Sequence, residues 1–134
     1  MLGIRPTDPV GTLVTGPVAM TSPTATLRAA AETLTSDNLG LLLVVGPAGP
    51  RAVLSERDIV ASIAAGDDVD VERVRDHATA DLLTVDESTS VRDAMRAVLE
   101  AEVRHLVIER GGVIVGVVSI RDLAAALLEE HTIA

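Results

Sequence analysis

The fold is decided by a seven-residue stretch that occurs twice in the chain. Residues 116–122 read GVVSIRD and residues 52–58 read AVLSERD, so that a Ser-x-Arg-Asp follows a short apolar run in both. The two stretches lie 64 positions apart (116 minus 52), and sliding the chain along itself by 64 aligns the halves without a gap, for example Leu42 with Leu106. Because self-similarity at a fixed period marks a repeat architecture, the sequence predicts a tandem of two copies of one unit.

Each copy carries the same order of elements. Apolar residues at helical spacing predict a first helix, and a short apolar run then predicts a buried strand. A glycine-rich turn leads to a second strand, and a second helix begins near the Ser-x-Arg-Asp. The predicted fold class is α/β, with two β-α-β-β-α repeats. The segments are 27–34, 41–45, 52–54 and 59–65 in the first copy, and 91–98, 106–108, 113–118 and 123–130 in the second.

The boundary between the copies falls at Gly66-Asp67-Asp68, where the apolar pattern breaks. We therefore assign residues 1–66 to a first repeat with an N-terminal lead-in, and residues 67–134 to a linker and a second repeat. The stretch from Val69 to His77 is predicted to form a short helix. A unit of about sixty residues buries too little surface to be stable alone. We therefore expect the two repeats to pack by a pseudo-twofold into one folded body.

Composition restricts the classes of function. The chain has 134 residues, 48% of them apolar, a net charge of −9, and neither cysteine nor any aromatic residue. The charge argues against nucleic-acid partners, which need a basic surface, and the lack of cysteine excludes disulfides and thiolate metal sites. No apolar run approaches the roughly 18 residues needed to cross a bilayer, and no secretory signal is recognisable. The chain is expected to be soluble and cytoplasmic. Its basic residues are all arginine, which with its alanine content suggests a bacterial source.

The doubled motif resembles that of the cystathionine-β-synthase (CBS) domain family. The family's Gly-h-h-[Ser/Thr]-x-x-Asp turn into a helix, where h is an apolar residue, is matched by Gly116–Asp122 and, except for its first glycine, by Ala52–Asp58. The resemblance covers the chain from about Val10 to Glu130, and the two copies are similar to stand-alone bacterial CBS pairs. It implies a regulatory module that senses an adenosine-containing ligand, namely AMP, ADP, ATP or S-adenosylmethionine, in the cleft between the repeats. It also implies a homodimer.

The resemblance places ligand-binding residues at both turns. The aspartate of each turn would bind a ribose diol, because an ionised carboxylate accepts hydrogen bonds from both hydroxyls. The serine lies near a helix N-terminus suited to a phosphate, and the arginine could add charge-assisted bonds. The alternative is structural, since Ser-x-x-Asp at a helix start is also a capping arrangement, which does not exclude binding. The residues are Ser55, Arg57, Asp58, Ser119, Arg121 and Asp122.

A second candidate group is Arg104-His105, directly before the predicted strand at Leu106. In the family, basic residues at this point often face ligand phosphates. The first copy has Gly40-Leu41 there, so the sequence indicates at most one strong site, in the second repeat. The alternative is that His105 is a strand residue whose hydrogen bonds are satisfied within the fold.

Two further positions concern the purine. Met20 and Thr84 lie in the segments that lead into the first helix of each copy, and they are candidates for the aliphatic walls that a chain without aromatic residues must use. They could equally belong to the core. Where the second copy has Gly116 the first has Ala52, whose methyl group could crowd a ligand in the first copy.

Catalysis and metal binding are not expected. We find no nucleophile–base pair, P-loop or Gly-x-Gly-x-x-Gly, and His77, His105 and His131 are scattered along the chain. Asp67-Asp68 and Glu129-Glu130 are most simply solvated. The sequence therefore predicts no enzyme, no metal and no cofactor apart from a regulatory nucleotide, with the regulated partner unknown. The alternative is a ligand-free dimeric interaction or stress-response protein, and a DNA-linked regulator is disfavoured by the charge.

Overall fold

The computed structural model describes the backbone of residues 3–133 and the side chains of residues 3–128. In chain order, the first repeat contains strand β1 (Met20–Thr21), helix α1 (Leu27–Ser36), strands β2 (Leu41–Gly46) and β3 (Gly49–Ser55), and helix α2 (Glu56–Ala64). The second repeat contains β4 (Leu82–Asp86), α3 (Val91–Ala101), β5 (His105–Arg110), β6 (Val113–Ser119) and α4 (Ile120–Ile133). The predicted α/β class and the doubled element order are confirmed.

Each repeat builds its own three-stranded sheet, in the orders β1-β2-β3 and β4-β5-β6. The first strand of each sheet pairs in parallel with the second, and the second pairs with the third as an antiparallel hairpin. One face of each first helix is buried, through Leu27 and Leu34 in α1 and through Val91 and Val98 in α3. The apolar residues at helical spacing in the sequence are thus the ones that form the buried face of each helix.

The chain divides into two compact units whose borders differ from those of the repeats. The first-repeat unit is Ala19–Ala80, and the second-repeat unit joins the residues up to Val18 with those from Asp81 onward. The lead-in (residues 3–18) therefore packs with the second repeat, while the linker (residues 67–80) packs with the first.

The lead-in and the linker are themselves equivalent under the offset of 64 residues. Each forms a short 3₁₀ helix, Val10–Leu13 in the lead-in and Val74–Asp76 in the linker. Val10 and Val74 each have 0% of their surface exposed, and each belongs to the apolar core of its unit. The helix predicted over 69–77 is thus present only as its last turn.

The linker is bonded to α1 and to the residues directly before it by backbone and side-chain bonds. Val74 N donates to Ala25 O at 2.9 Å, and the guanidinium of Arg28 pairs with the carboxylate of Asp70. The hydrogen bond from Arg28 lowers the pKa of Asp70 below its ordinary value. At the start of α1, Leu27 N donates to Glu72 O of the linker at 3.0 Å, and at the start of α3 Val91 N donates to Asp8 O of the lead-in at 2.9 Å. Within the part of the chain that the structure describes, no helix is both long and apolar enough to cross a membrane.

Candidate functional site

Each Ser-x-Arg-Asp turn joins the last strand of a sheet to the helix that follows, so its serine becomes the N-cap of that helix. In the first repeat, Asp58 N donates to Ser55 Oγ at 3.2 Å, and Ser55 N donates to Asp58 Oδ2 at 2.8 Å. In the second repeat, Asp122 N donates to Ser119 Oγ at 3.1 Å, and Ser119 N donates to Asp122 Oδ2 at 2.9 Å. Both turns are therefore reciprocal capping boxes, as the structural alternative requires.

Capping leaves polar groups free for a ligand. Among the described residues, nothing donates to the second carboxylate oxygen of Asp58 or of Asp122. Arg57 and Arg121 are exposed and make no ion pair within the same part of the chain. The free oxygen can accept from a hydroxyl, and each arginine can bind an anion. The capping role and the ligand role are compatible.

The second repeat brings Arg104 and His105 to its turn. Arg104 O accepts a 2.8 Å hydrogen bond from Ile120 N, and His105 pairs with Ser119 in the register of β5 and β6. The candidates that the sequence placed separately thus meet at one end of the sheet. The equivalent positions of the first repeat are occupied by Gly40 and Leu41, which bring no charge.

Asp81, which no sequence motif indicates, binds Arg104 at this end of the sheet. Its carboxylate accepts from Arg104 N at 2.8 Å and from Arg104 Nε at 2.6 Å, and its side chain is 10% exposed. His105 Nδ1 lies 3.3 Å from Asp81 O. His105 therefore has the contacts expected of a satisfied strand residue. The side chain of Arg104 remains 73% exposed, so its outer nitrogens can still reach an anion.

Met20 and Thr84 lie on the first strand of each sheet, away from the turns. Met20 is opposite Leu43 in β2, and Thr84 is opposite Val107 in β5, so each is two residues and two strands from its motif serine. With strands about 4.8 Å apart and a rise of about 3.3 Å per residue, the separation is about 12 Å. Both residues are exposed, and a ligand that contacts either of them and the turn of the same repeat must span that distance.

The space beside Gly116 is occupied by Val14, while the expected crowding of a ligand by Ala52 stays a prediction. A Cβ atom added to Gly116 would lie 2.6 Å from Cγ1 and 2.7 Å from Cγ2 of Val14. The glycine is needed because the lead-in packs directly on β6. The offset of 64 pairs Gly116 with Ala52 and Val14 with Ala78, so the first repeat has two alanines where the second has a glycine and a valine.

A groove of about 380 Å³ lies elsewhere on the second-repeat unit, lined by Val14, Glu87 and Arg110 among others. Arg110 donates to both carboxylate oxygens of Glu87, at 2.7 and 3.0 Å, and this pairing raises the pKa of Arg110. None of the motif residues lines this groove. Its polar groups satisfy one another, so it is not the binding site predicted from the sequence.

A family model for the CBS domain matches residues 10–65 and again residues 74–129. The chain belongs to the CBS-domain family. The two matches are the two repeats recognised from the doubled motif, and they identify the chain as a CBS pair.

Similar proteins come from several kingdoms. An uncharacterised 17.7 kDa protein of Acidianus ambivalens is 38% identical over 125 residues, which are 92% of this chain and 75% of that protein. The mitochondrial CBS domain-containing protein CBSX3 of Arabidopsis thaliana is 31% identical over 112 residues, 79% of this chain and 54% of that protein. A bacterial source for the chain therefore stays a prediction.

Among solved structures, a CBS domain protein of Pyrobaculum aerophilum complexed with AMP superposes with a TM-score of 0.72. It is 31% identical, and the match covers 92% of this chain and 98% of that one. A CBS-domain protein of Burkholderia ambifaria, described as a putative signal-transduction protein, is 25% identical with a TM-score of 0.66, covering 86% and 89%. This likeness confirms the CBS fold.

Proposed function

We propose that this CBS pair is a non-catalytic, cytoplasmic regulatory module that senses an adenosine-containing ligand at the turn of its second repeat. The observation that carries the proposal is the convergence of Arg104 with the Ser119–Asp122 turn. There the backbone of Arg104 bonds to Ile120 at the N-terminus of α4, and Arg121 and Asp122 follow in the first turn of that helix. The exposed side chain of Arg104 starts from the same end of the sheet. The first repeat offers only Arg57 beside its capped aspartate.

Each group suits one part of a nucleotide. The free oxygen of Asp122 would accept from a ribose hydroxyl, while Arg121, Arg104 and the N-terminus of α4 would bind the phosphate. The purine would extend toward aliphatic side chains, since the chain contains no aromatic residue. Thr84, on the sheet of the second repeat, is the proposed wall of this site, and Met20 would have the equivalent role on the sheet of the first repeat. The AMP complex of the Pyrobaculum aerophilum protein supports a nucleotide of this class.

Regulation requires that the ligand bind two arrangements of the protein unequally. The net charge of −9 opposes a polyphosphate unless arginines converge on it, and this makes Arg104 and Arg121 the groups most needed for ATP.

We expect the purified chain to bind at least one of AMP, ATP and S-adenosylmethionine. Because it lacks tryptophan, tyrosine and cysteine, it absorbs little at 280 nm, and a nucleotide retained through purification would appear near 260 nm. Calorimetric titration of nucleotide-free protein with each compound gives the affinity. If none of them produces heat or raises the melting temperature, the sensor proposal fails and the ligand-free dimeric alternative is favoured.

The residue test uses matched variants of the two turns. Arg121→Ala is expected to lower the affinity for the bound nucleotide at least tenfold without touching the capping box, whereas Arg57→Ala should change it less. Asp122→Ala removes both a proposed ribose contact and a helix cap. Asp58→Ala removes the equivalent cap in the first repeat, and it is therefore the control for the loss of folding free energy, about 1 kcal/mol. Equal effects of the two arginine variants would contradict a site in the second repeat.

We further propose that the chain forms a homodimer through apolar helix surfaces. A groove of about 380 Å³ between α1 and α2 is lined by the buried Leu34 and Ile59 and by the exposed Val60, and the nearby Ile63 is exposed as well. A second copy of the same chain can cover such surfaces by symmetry. Light scattering should give the mass of a dimer, and Val60→Asp combined with Ile63→Asp should give that of a monomer. A monomeric parent chain would reject this proposal.

A further inference from the structure

We infer that Asp67, Glu72 and His77 form a binding site for a divalent transition-metal ion such as Zn²⁺. The three residues belong to the first-repeat unit and take no part in the Ser-x-Arg-Asp turns. One ligand atom from each of them lies within 4.8 Å of the other two. His77 Nε2 is already 2.8 Å from Glu72 Oε1. In a tetrahedral zinc site with bonds of about 2.0–2.1 Å, neighbouring ligand atoms are about 3.4 Å apart, so only small side-chain rotations are needed.

The turn after α2 and the buried Ser62 hold Asp67 in place. After α2, Gly66 adopts a φ of +88°, which turns the chain so that Asp67 N donates to Ser62 O at 3.1 Å. Ser62 Oγ donates to Asp67 Oδ2 at 2.8 Å, and Ser62 is only 3% exposed. A buried hydroxyl thus orients one carboxylate, which is the role that outer-sphere partners have in metal sites.

The other two ligands are held by the linker. Glu72 N donates to Asp68 O at 2.9 Å, and Glu72 O accepts from Leu27 N at the start of α1. His77 N donates to Val74 O at 3.0 Å, directly after the fully buried Val74. Its imidazole is 18% exposed and the carboxylate of Glu72 is 33% exposed, so an ion can enter from solvent.

Charge and chemistry favour a transition metal here. Two carboxylates converge beside one imidazole, and among the described residues no arginine forms an ion pair with either of them. The neighbouring Arg28 pairs with Asp70, and Arg73 donates to Thr24 O. An imidazole with two carboxylates suits Zn²⁺ better than Mg²⁺ or Ca²⁺, which prefer oxygen ligands alone. The ion would displace the proton between His77 and Glu72, and water can occupy its fourth position.

The test is titration of the full chain, freed of metal by a chelator, with ZnCl₂. We expect one Zn²⁺ per chain and a rise in melting temperature, since a ligand bound to the native state stabilises it, while MgCl₂ gives neither. His77→Ala and Asp67→Asn should each lower the Zn²⁺ affinity at least tenfold, and Ser62→Ala should lower it on the order of tenfold or more. Absence of zinc binding by the parent chain overturns the inference.

Matched controls separate this site from adventitious binding. His105→Ala removes the other histidine of the described side chains, and Asp68→Asn removes a neighbouring carboxylate that is not among the three ligands. Both should retain the parent affinity, as should His131→Ala. If His77→Ala fails to fold by circular dichroism, Glu72→Gln preserves the shape of the side chain and replaces it. A loss with any control equal to that with His77→Ala or Glu72→Gln overturns the assignment.

Discussion

Val10→Ala is expected to destabilise the second repeat, although Val10 precedes the first. Val10 is fully buried in the core formed with Val91, Leu106 and Leu123. Removing two methyl groups from such a position costs about 2–3 kcal/mol, from lost burial together with the cavity that remains. Denaturant unfolding followed by circular dichroism measures the loss, because the chain has no tryptophan for fluorescence. Native-state hydrogen exchange then locates it, and we expect faster exchange in residues 105–119.

The matched control is Val74→Ala, which makes the same change at the equivalent position of the linker. Val74 is fully buried in the core of the first-repeat unit. Its replacement should cost a similar free energy, but exchange should accelerate in residues 41–55. If Val10→Ala accelerated exchange in 41–55 and left 105–119 unchanged, the assignment of the lead-in to the second repeat would be wrong.

The architecture could be predicted because its signals are local and occur twice. A strand that ends in a serine, followed by an aspartate three residues later, forms the same capping box at Ser55 and at Ser119. The helical spacing of Leu27 and Leu34 defines the buried face of α1 without knowledge of its partner. Two copies of each signal in one register exclude most other arrangements of the elements.

The pairing of the lead-in with the second repeat could not be predicted in the same way. Pro9 bridges Ser90, and Thr26 bridges Arg73, across long stretches of chain. The sequence at either end is compatible with packing on the adjacent repeat, because the lead-in and the linker are equivalent under the offset. Periodicity identifies which residues are buried, but it does not say which copy buries them.

The sequence indicated the motif residues of the proposed site, which stay a prediction, but it did not indicate Asp81, which supports Arg104. Asp81 lies directly before β4, and no pattern of spacing connects it to Arg104 until the two strands pair. The same limit applies to Asp67, Glu72 and His77, which are spaced five residues apart in a segment that is not an α-helix. Their convergence depends on the turn at Gly66 and on the short 3₁₀ helix that precedes His77.

Gly116→Ala is expected to destabilise the chain by about 1–2 kcal/mol. Overpacking of this kind costs about 1–3 kcal/mol, and the lower entropy of the unfolded alanine chain offsets about 0.4–1 kcal/mol of it. The added Cβ would lie 2.6 Å from Cγ1 of Val14, and a valine has little freedom to rotate away because its side chain branches at Cβ. Denaturant unfolding by circular dichroism measures the change. Gly16→Ala is the control, since a Cβ there meets nothing within 4 Å.

The double variant Gly116→Ala, Val14→Ala tests the physical cause. It gives the second repeat the two alanines that the first repeat has at positions 52 and 78. Because the clash disappears with the valine methyl groups, the two changes should not add, and we expect a coupling of about 1 kcal/mol in favour of the double variant. Strictly additive losses would mean that Gly116 is required for a reason other than contact with Val14. The expected coupling would show that a small residue on the last strand is matched by a larger one on the segment packed against it. The second repeat has Gly116 with Val14, where the first has Ala52 with Ala78.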